Sequence, residues 1–176
     1  MNQMQPAAPR RAPSASMVVD RSRRVLPIGT ERYVVPGAGS VVVQVDAGDM
    51  VKVRDIEGCQ PCELVFAGSD GRVDPRGLGV PSITRAEGLL ALLGDPAESA
   101  RRTRSALARR SIDLSGALGV RVFGAASPAG ASAQFTVTRD GLLIVAAPGG
   151  VMDAERQDTA TEIELLITRP LRPGVG

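Results

Sequence analysis

The stretch "GSVVVQVDAGDMVKVRDIEG", Gly39 to Gly58, decides the fold. Val41, Val43 and Val45 alternate with Val42, Gln44 and Asp46. That is the period of a strand with one face on a core. "DAGD" supplies turn residues, after which Met50, Val51 and Val53 resume an extended run. The pattern predicts a hairpin with a Gly-containing loop.

Working outward, "RVLPIGTERYVVP" before this stretch reads as a short strand, a turn and a second strand. After it, "CELVFAG" reads as a strand and "SDGRVDPRGLG" as a surface loop. The period then changes. Thr84 and Glu87 form a capping-box pattern ahead of Leu89, Leu90, Leu92 and Leu93, and Gly94 stops that helix. Asp95, Pro96 and Glu98 open a second helix, which runs to about Arg110. "SIDLSGAL" leads out as a turn or loop. Strands resume with "GVRVFGA" and with "AQFTVTRDGLLIVAAPGG", a second predicted hairpin tipped by Asp140-Gly141. "EIELLITRP" is a last strand, stopped by Pro170. The two predicted hairpins, 40–58 and 132–150, are loosely alike. About eight or nine strands around a two-helix insertion at about 84–110 predict a mainly β protein, a β-sandwich or β-barrel.

Composition narrows the chemistry. The chain has 176 residues, enough for one core, and no histidine. Lack of histidine excludes Ser-His-Asp and Cys-His catalysis and every His-ligated metal. Acid–base work would fall to carboxylates, cysteines, Lys52 or Tyr33. Arg10, Arg11, Arg21, Arg23 and Arg24 stand against Asp20, so beyond residue 24 the chain is net acidic although the whole is +2. That argues against a nucleic-acid partner. No run approaches a membrane span, and the N-terminus lacks the apolar core of a secretory signal, so a cytoplasmic location is expected. Residues 1–23 read as a disordered tail, 24–169 as a single domain and 170–176 as a linker or tail.

Cys59 and Cys62 have C-x-x-C spacing. A structural zinc needs four ligands, and a redox dithiol favours a helix N-terminus. Here the pair lies between two predicted strands, so the plain alternative is a turn in the fold. Asp46, Asp49, Asp55, Glu57 and Glu63 form an acidic cluster, in which Asp55 and Glu57 share a face if their strand continues. Turn capping is the plain alternative. Arg101, Arg102, Arg104, Arg109 and Arg110 load one helix, as a phosphate or docking surface or simply a solvated face. The Gly-rich stretches 124–130 and 147–150 match no nucleotide-binding loop.

Four segments in order carry a resemblance: "RVLPIGTERYVVPGAGS", "VDAGDMVKVRDIEGCQPCEL", "RVFGAASPAG" and "FTVTRDGLLIVAAPGG". Together they resemble the N-terminal region of bacterial aminomethyltransferase-like proteins, akin to the glycine cleavage system T protein and fused to a urea-carboxylase-associated domain. The stretch "GDMVKVRDIEGCQPCEL" also resembles the urea-carboxylase-associated domain itself, with Gly48, Asp55, Glu57, Gly58, Gln60 and Glu63 at the matched positions. The resemblance implies a non-catalytic accessory domain of a folate-dependent one-carbon protein, with an aminomethyltransferase domain or subunit as partner. No catalytic residue, metal ligand or cofactor is assigned by it. The alternative is a stand-alone β-barrel small-molecule binding module of the urea-carboxylase-associated type, with Asp55, Glu57, Gln60 and Glu63 as ligand-binding residues. A third reading, a metal or redox enzyme built on the cysteines, has the least support.

Overall fold

The structure, a computed structural model, describes residues 26–80, 83–149 and 159–170. The expected tail 1–23 and most of the segment 170–176 lie outside these residues. Among the described residues the strands are β1 (Thr30–Val35), β2 (Gly39–Val45), β3 (Met50–Asp55), β4 (Cys62–Gly68), β5 (Thr84–Arg85), β6 (Leu118–Val122), β7 (Ser132–Thr136), β8 (Gly141–Ala147) and β9 (Ile163–Thr168). The helices are α1 (Glu87–Gly94) and α2 (Glu98–Ala108). The strands make two antiparallel sheets, ordered β1-β9-β3-β7 and β2-β8-β4-β6-β5. The protein is thus mainly β and sandwich-like, as the alternation predicts.

The two predicted hairpins are not hairpins. β2 pairs with β8 in one sheet, while β3 pairs with β9 and β7 in the other. Likewise β7 and β8 lie in different sheets. Each strand–turn–strand unit is an arch that crosses from sheet to sheet. The reason is burial. Val43 and Val45 of β2 and Val51 and Val53 of β3 all enter one core, and crossing sets them against each other from opposite sides. The turn is pinned by Asp49, whose amide donates to Asp46 O (3.1 Å) and whose carboxylate accepts from the Asp46 amide (2.9 Å). The two arches then interlock, with β2 against β8 and β3 against β7. Their turns also meet: Gly48 N donates to Val137 O (2.8 Å), Val137 N to Asp49 O (2.9 Å) and Ala47 N to Asp140 Oδ1 (2.8 Å). The loose likeness of 40–58 and 132–150 reflects these paired arches.

The core between the sheets is mostly aliphatic, with Leu64, Leu143, Val145, Ile163, Leu165 and Ile167 fully buried beside the Phe66 ring. Each contributes roughly 1.5–3 kcal/mol by leaving water. A second apolar layer lies outside the five-stranded sheet. There Leu89, Leu93 and Leu107 of the helices cover Val65, Ala67, Ile144 and Ala146. β4 is therefore buried on both faces, which explains why it is apolar apart from Glu63 and does not alternate.

Three local expectations are corrected. Residues 26–29 form a turn, closed by Thr30 N on Pro27 O (2.9 Å), rather than a first strand. Thr84 lies in β5 and does not cap α1, and α2 begins at Glu98 because Asp95 instead caps the Ala97 amide (2.7 Å). The predicted surface loop 69–79 includes a 3-10 helix, Pro75–Leu78, whose Pro75, Gly77 and Leu78 are buried. Gly77 lies flat on Phe66, where a Cβ would come within 2.2 Å of the ring.

Candidate functional site

β3 ends at Asp55, so the period-2 argument fails one residue later. Asp55 is fully buried, whereas Glu57 is exposed in the turn beyond it. The two carboxylates do not share a face. Asp55 organises the loop that carries the cysteines. Its Oδ1 accepts from Gly58 N (2.8 Å), and its Oδ2 accepts from Gln60 N (3.0 Å) and the Ser127 hydroxyl (2.8 Å). Gly58, at φ +93, lies against the 127–129 backbone, where a Cβ would meet Ala129 N at 2.8 Å.

Gln60, also buried, ties three segments. Its amide Nε2 donates to Pro61 O and Pro148 O (2.8 Å each), and its Oε1 accepts from Thr161 N (2.8 Å). Glu63 is buried on the helix side of β4, where it accepts from the Gly88 (3.2 Å) and Leu89 (2.7 Å) amides. Those are orphan donors of the first turn of α1, so the helix is capped by a strand residue rather than by its own leader. Asp55, Gln60 and Glu63 thus lie along one loop and one strand start, with their polar atoms engaged by backbone and by the Ser127 hydroxyl. The Gly-rich stretches 124–130 and, within the described residues, 147–149 do converge on this loop, through Ser127 and Pro148. Thr161 Oγ1 is buried there without a hydrogen-bond partner.

The cysteines divide. Cys59 is exposed, at φ +62, its amide donating to Ser127 O (2.9 Å). Cys62 opens β4 and is fully buried. Burial, then the charges of Glu63 and Asp55 nearby, pushes the Cys62 thiol far above the usual range, the reverse of the shift that activates a redox cysteine. Among the described residues no group of three or more His, Cys, Asp or Glu side chains is placed to hold a metal.

The opposite end of the sandwich carries an ionic knot. Arg169, just past β9, bonds to Glu31 (2.9 Å) and Asp49 (3.0 Å) and lies 3.5 Å from Asp46. Hydrogen bonding from Arg169, then from the Tyr33 hydroxyl, lowers the Glu31 carboxyl below its ordinary range. The same contact raises Arg169, and the Glu31 hydrogen bond raises Tyr33. The helix arginines are mostly employed within the fold. Arg101 and Arg102 pair with Glu98, and Arg104 donates to the Leu93 and Asp95 carbonyls that close α1.

Ser127, Pro148, Thr161 and Arg169 are the participants that local sequence patterns miss. Their partners lie 72 (Ser127–Asp55), 88 (Pro148–Gln60), 101 (Thr161–Gln60) and 138 (Arg169–Glu31) residues away, beyond any periodicity or motif.

Comparison with known proteins adds what geometry alone does not. The chain is 41% identical over 157 residues to trimethylamine-oxide aldolase of Ruegeria pomeroyi. The match takes in 89% of this chain and 20% of that protein, so the chain spans about a fifth of the relative's length. Over most of its length the chain is therefore related to part of an enzyme of small-molecule metabolism. This match overturns the resemblance to aminomethyltransferase-like proteins with a urea-carboxylase-associated domain, and with it the one-carbon role: the protein matched is an aldolase. A crystal structure of a DUF1989 family protein from Silicibacter pomeroyi matches at 15% identity and a TM-score of 0.48, covering 81% of this chain and 80% of that one. No protein-family profile matches the chain. Among the described residues no helix is long and apolar enough to cross a membrane.

Proposed function

We propose that the chain is a small-molecule binding module that serves the handling of a methylated amine oxide. The observation that carries this is the 41% identity over 157 residues to a trimethylamine-oxide aldolase. The geometry supports binding over turnover within this chain. Asp55 and Glu63, the buried carboxylates first in line for acid–base work, accept five hydrogen bonds between them from the protein itself. A general base needs a lone pair within reach of substrate. Five of their roughly eight lone-pair positions are engaged by the fold, and both carboxylates are buried away from solvent.

Saturation-transfer NMR with trimethylamine oxide tests the proposal, because the methyl signal of the small ligand reports contact directly. The expected result is transfer from the protein that excess perdeuterated oxide, silent in the proton spectrum, competes away, with the oxide signal undiminished over hours. Loss of oxide signal catalysed by the chain alone would overturn the non-catalytic part. Absence of transfer at millimolar oxide would overturn binding.

A further inference from the structure

A cleft of about 390 Å³ opens where the end of α2, the turn leaving β4 and the start of β8 meet. Its polar lining comes from four separate segments: Gln44, Ser69, Arg110 and Asp140. Its apolar lining is Ile112 and Leu142. Neither the cysteine loop nor the carboxylates singled out in the sequence contribute to it.

The charges in the cleft are arranged for a dipole. Arg110 turns one N–H back onto Ala106 O (3.2 Å) at the end of α2, and among the described residues it has no carboxylate partner. Asp140 is held by the Ala47 amide on Oδ1, which fixes the carboxylate at the lining. Across the Asp46–Ala47 turn lies a second depression of about 190 Å³, where Arg169 answers the carboxylates of Glu31, Asp46 and Asp49. This end of the sandwich therefore carries surplus negative charge.

We propose that this cleft is the binding site for a tertiary amine oxide, an inference that rests on the reading of the chain as a methylated-amine-oxide module. Such a ligand has an oxygen that accepts hydrogen bonds and a positively charged nitrogen wrapped in methyl groups. Arg110, Gln44 and Ser69 supply donors for the oxygen. Asp140 supplies the countercharge for the nitrogen, and Ile112 and Leu142 supply aliphatic surface for the methyls. No aromatic ring lines the cleft, so the carboxylate takes the part that an aromatic cage plays elsewhere.

The test is an amide-resolved NMR titration of the full chain with trimethylamine oxide, repeated with trimethylammonium, on the native protein and on Arg110→Gln and Asp140→Asn. Both side chains are exposed, and Asn keeps the acceptor for Ala47 N, so both variants are expected to keep the native spectrum. Saturable shifts at Gly68, Gly71, Gly141 and Leu142 are expected with the oxide. Arg110→Gln should weaken the oxide about tenfold and leave trimethylammonium as tight or tighter, because a like charge is removed, whereas Asp140→Asn should weaken both. Saturable shifts confined to the Asp55–Glu63 loop, or variants that bind the oxide as the native chain does, would overturn the cleft and leave the module reading standing. No saturable shift with either ligand would overturn both.

Discussion

The carboxylate of Glu63 accepts the Leu89 amide at 2.7 Å, so a residue of β4 caps a helix that begins 24 positions later in the chain. Gly88 makes the contact possible, since a Cβ there would meet Pro148 at 2.7 Å and the Glu63 oxygen at 3.0 Å. The contact fixes α1 on the sheet and explains the one charged residue in the fully buried strand β4. Glu63→Ala strands the buried Leu89 amide and leaves the half-buried Gly88 amide uncapped, and is expected to cost about 2 to 3 kcal/mol. Glu63→Gln keeps one acceptor and should cost about half as much. Urea denaturation followed by circular dichroism measures both. A loss under ~0.5 kcal/mol for Glu63→Ala would show that the cap contributes little.

Asp55, Gln60 and Ser127 form one coupled network, and coupling has a numerical signature. Asp55→Ala is expected to cost about 3 kcal/mol and Ser127→Ala about 1, because a charged acceptor with three donors exceeds a single hydroxyl. The double variant should cost less than the sum, since removing Asp55 already deprives Ser127 of its partner. Strict additivity would mean that the two side chains act independently.

The fold was legible where one residue's neighbours decide its state. Alternation placed β2 and β3, apolar stretches bounded by turn residues placed β4, β8 and β9, and Gly94 marked the end of α1. Pairing was not legible. A Val-rich strand, a Gly-containing turn and another strand read the same whether the chain folds back within a sheet or crosses to the next. The choice rests on β8 and β9, about a hundred residues further on. The candidate site shows the same division. Asp55, Gln60 and Glu63 were singled out and lie together. That their oxygens are taken by Gly58, Ser127, Thr161 and Leu89 amides or hydroxyls depends on contacts no local pattern contains. Glu57 missed the cluster because β3 ends at Asp55.

The two cysteines should behave as different chemical species. Cys59 is exposed and Cys62 is buried with its thiol pushed well up, so a disulfide-exchange reagent is expected to titrate one thiol in the native protein and two in guanidinium. Two fast thiols in the native state would contradict the burial of Cys62. Cys59 also occupies the left-handed region at φ +62. Cys59→Gly should therefore stabilise by about 1 kcal/mol, while Cys59→Ala, which keeps a Cβ, should be near neutral. Cys62→Ala removes only one buried sulfur and should cost about 1 kcal/mol.

The knot of Glu31, Tyr33 and Arg169 gives stability a dependence on pH at both ends. Glu31 is lowered in the folded state, so its contribution is present above its unfolded value and is lost as pH falls through the folded one. Tyr33 is raised, because its hydroxyl must keep its proton to donate to Glu31 at 2.7 Å. Its contribution is present below its unfolded value and is lost as pH rises through the folded one. Asp113 is lowered as well, by the Ser115 amide and hydroxyl, so acid weakening alone does not identify the knot. The difference between native and Glu31→Gln does. Native protein should lose its advantage over Glu31→Gln as pH drops from neutral to about 3, by no more than ~1 kcal/mol because solvent screens a pair this exposed. Tyr33→Phe should flatten the alkaline limb and leave the acid limb largely in place, since Arg169 still holds Glu31. Parallel acid profiles for native and Glu31→Gln would show that Arg169 draws its hold from Asp49, which it meets at 3.0 Å, and gains nothing from Glu31.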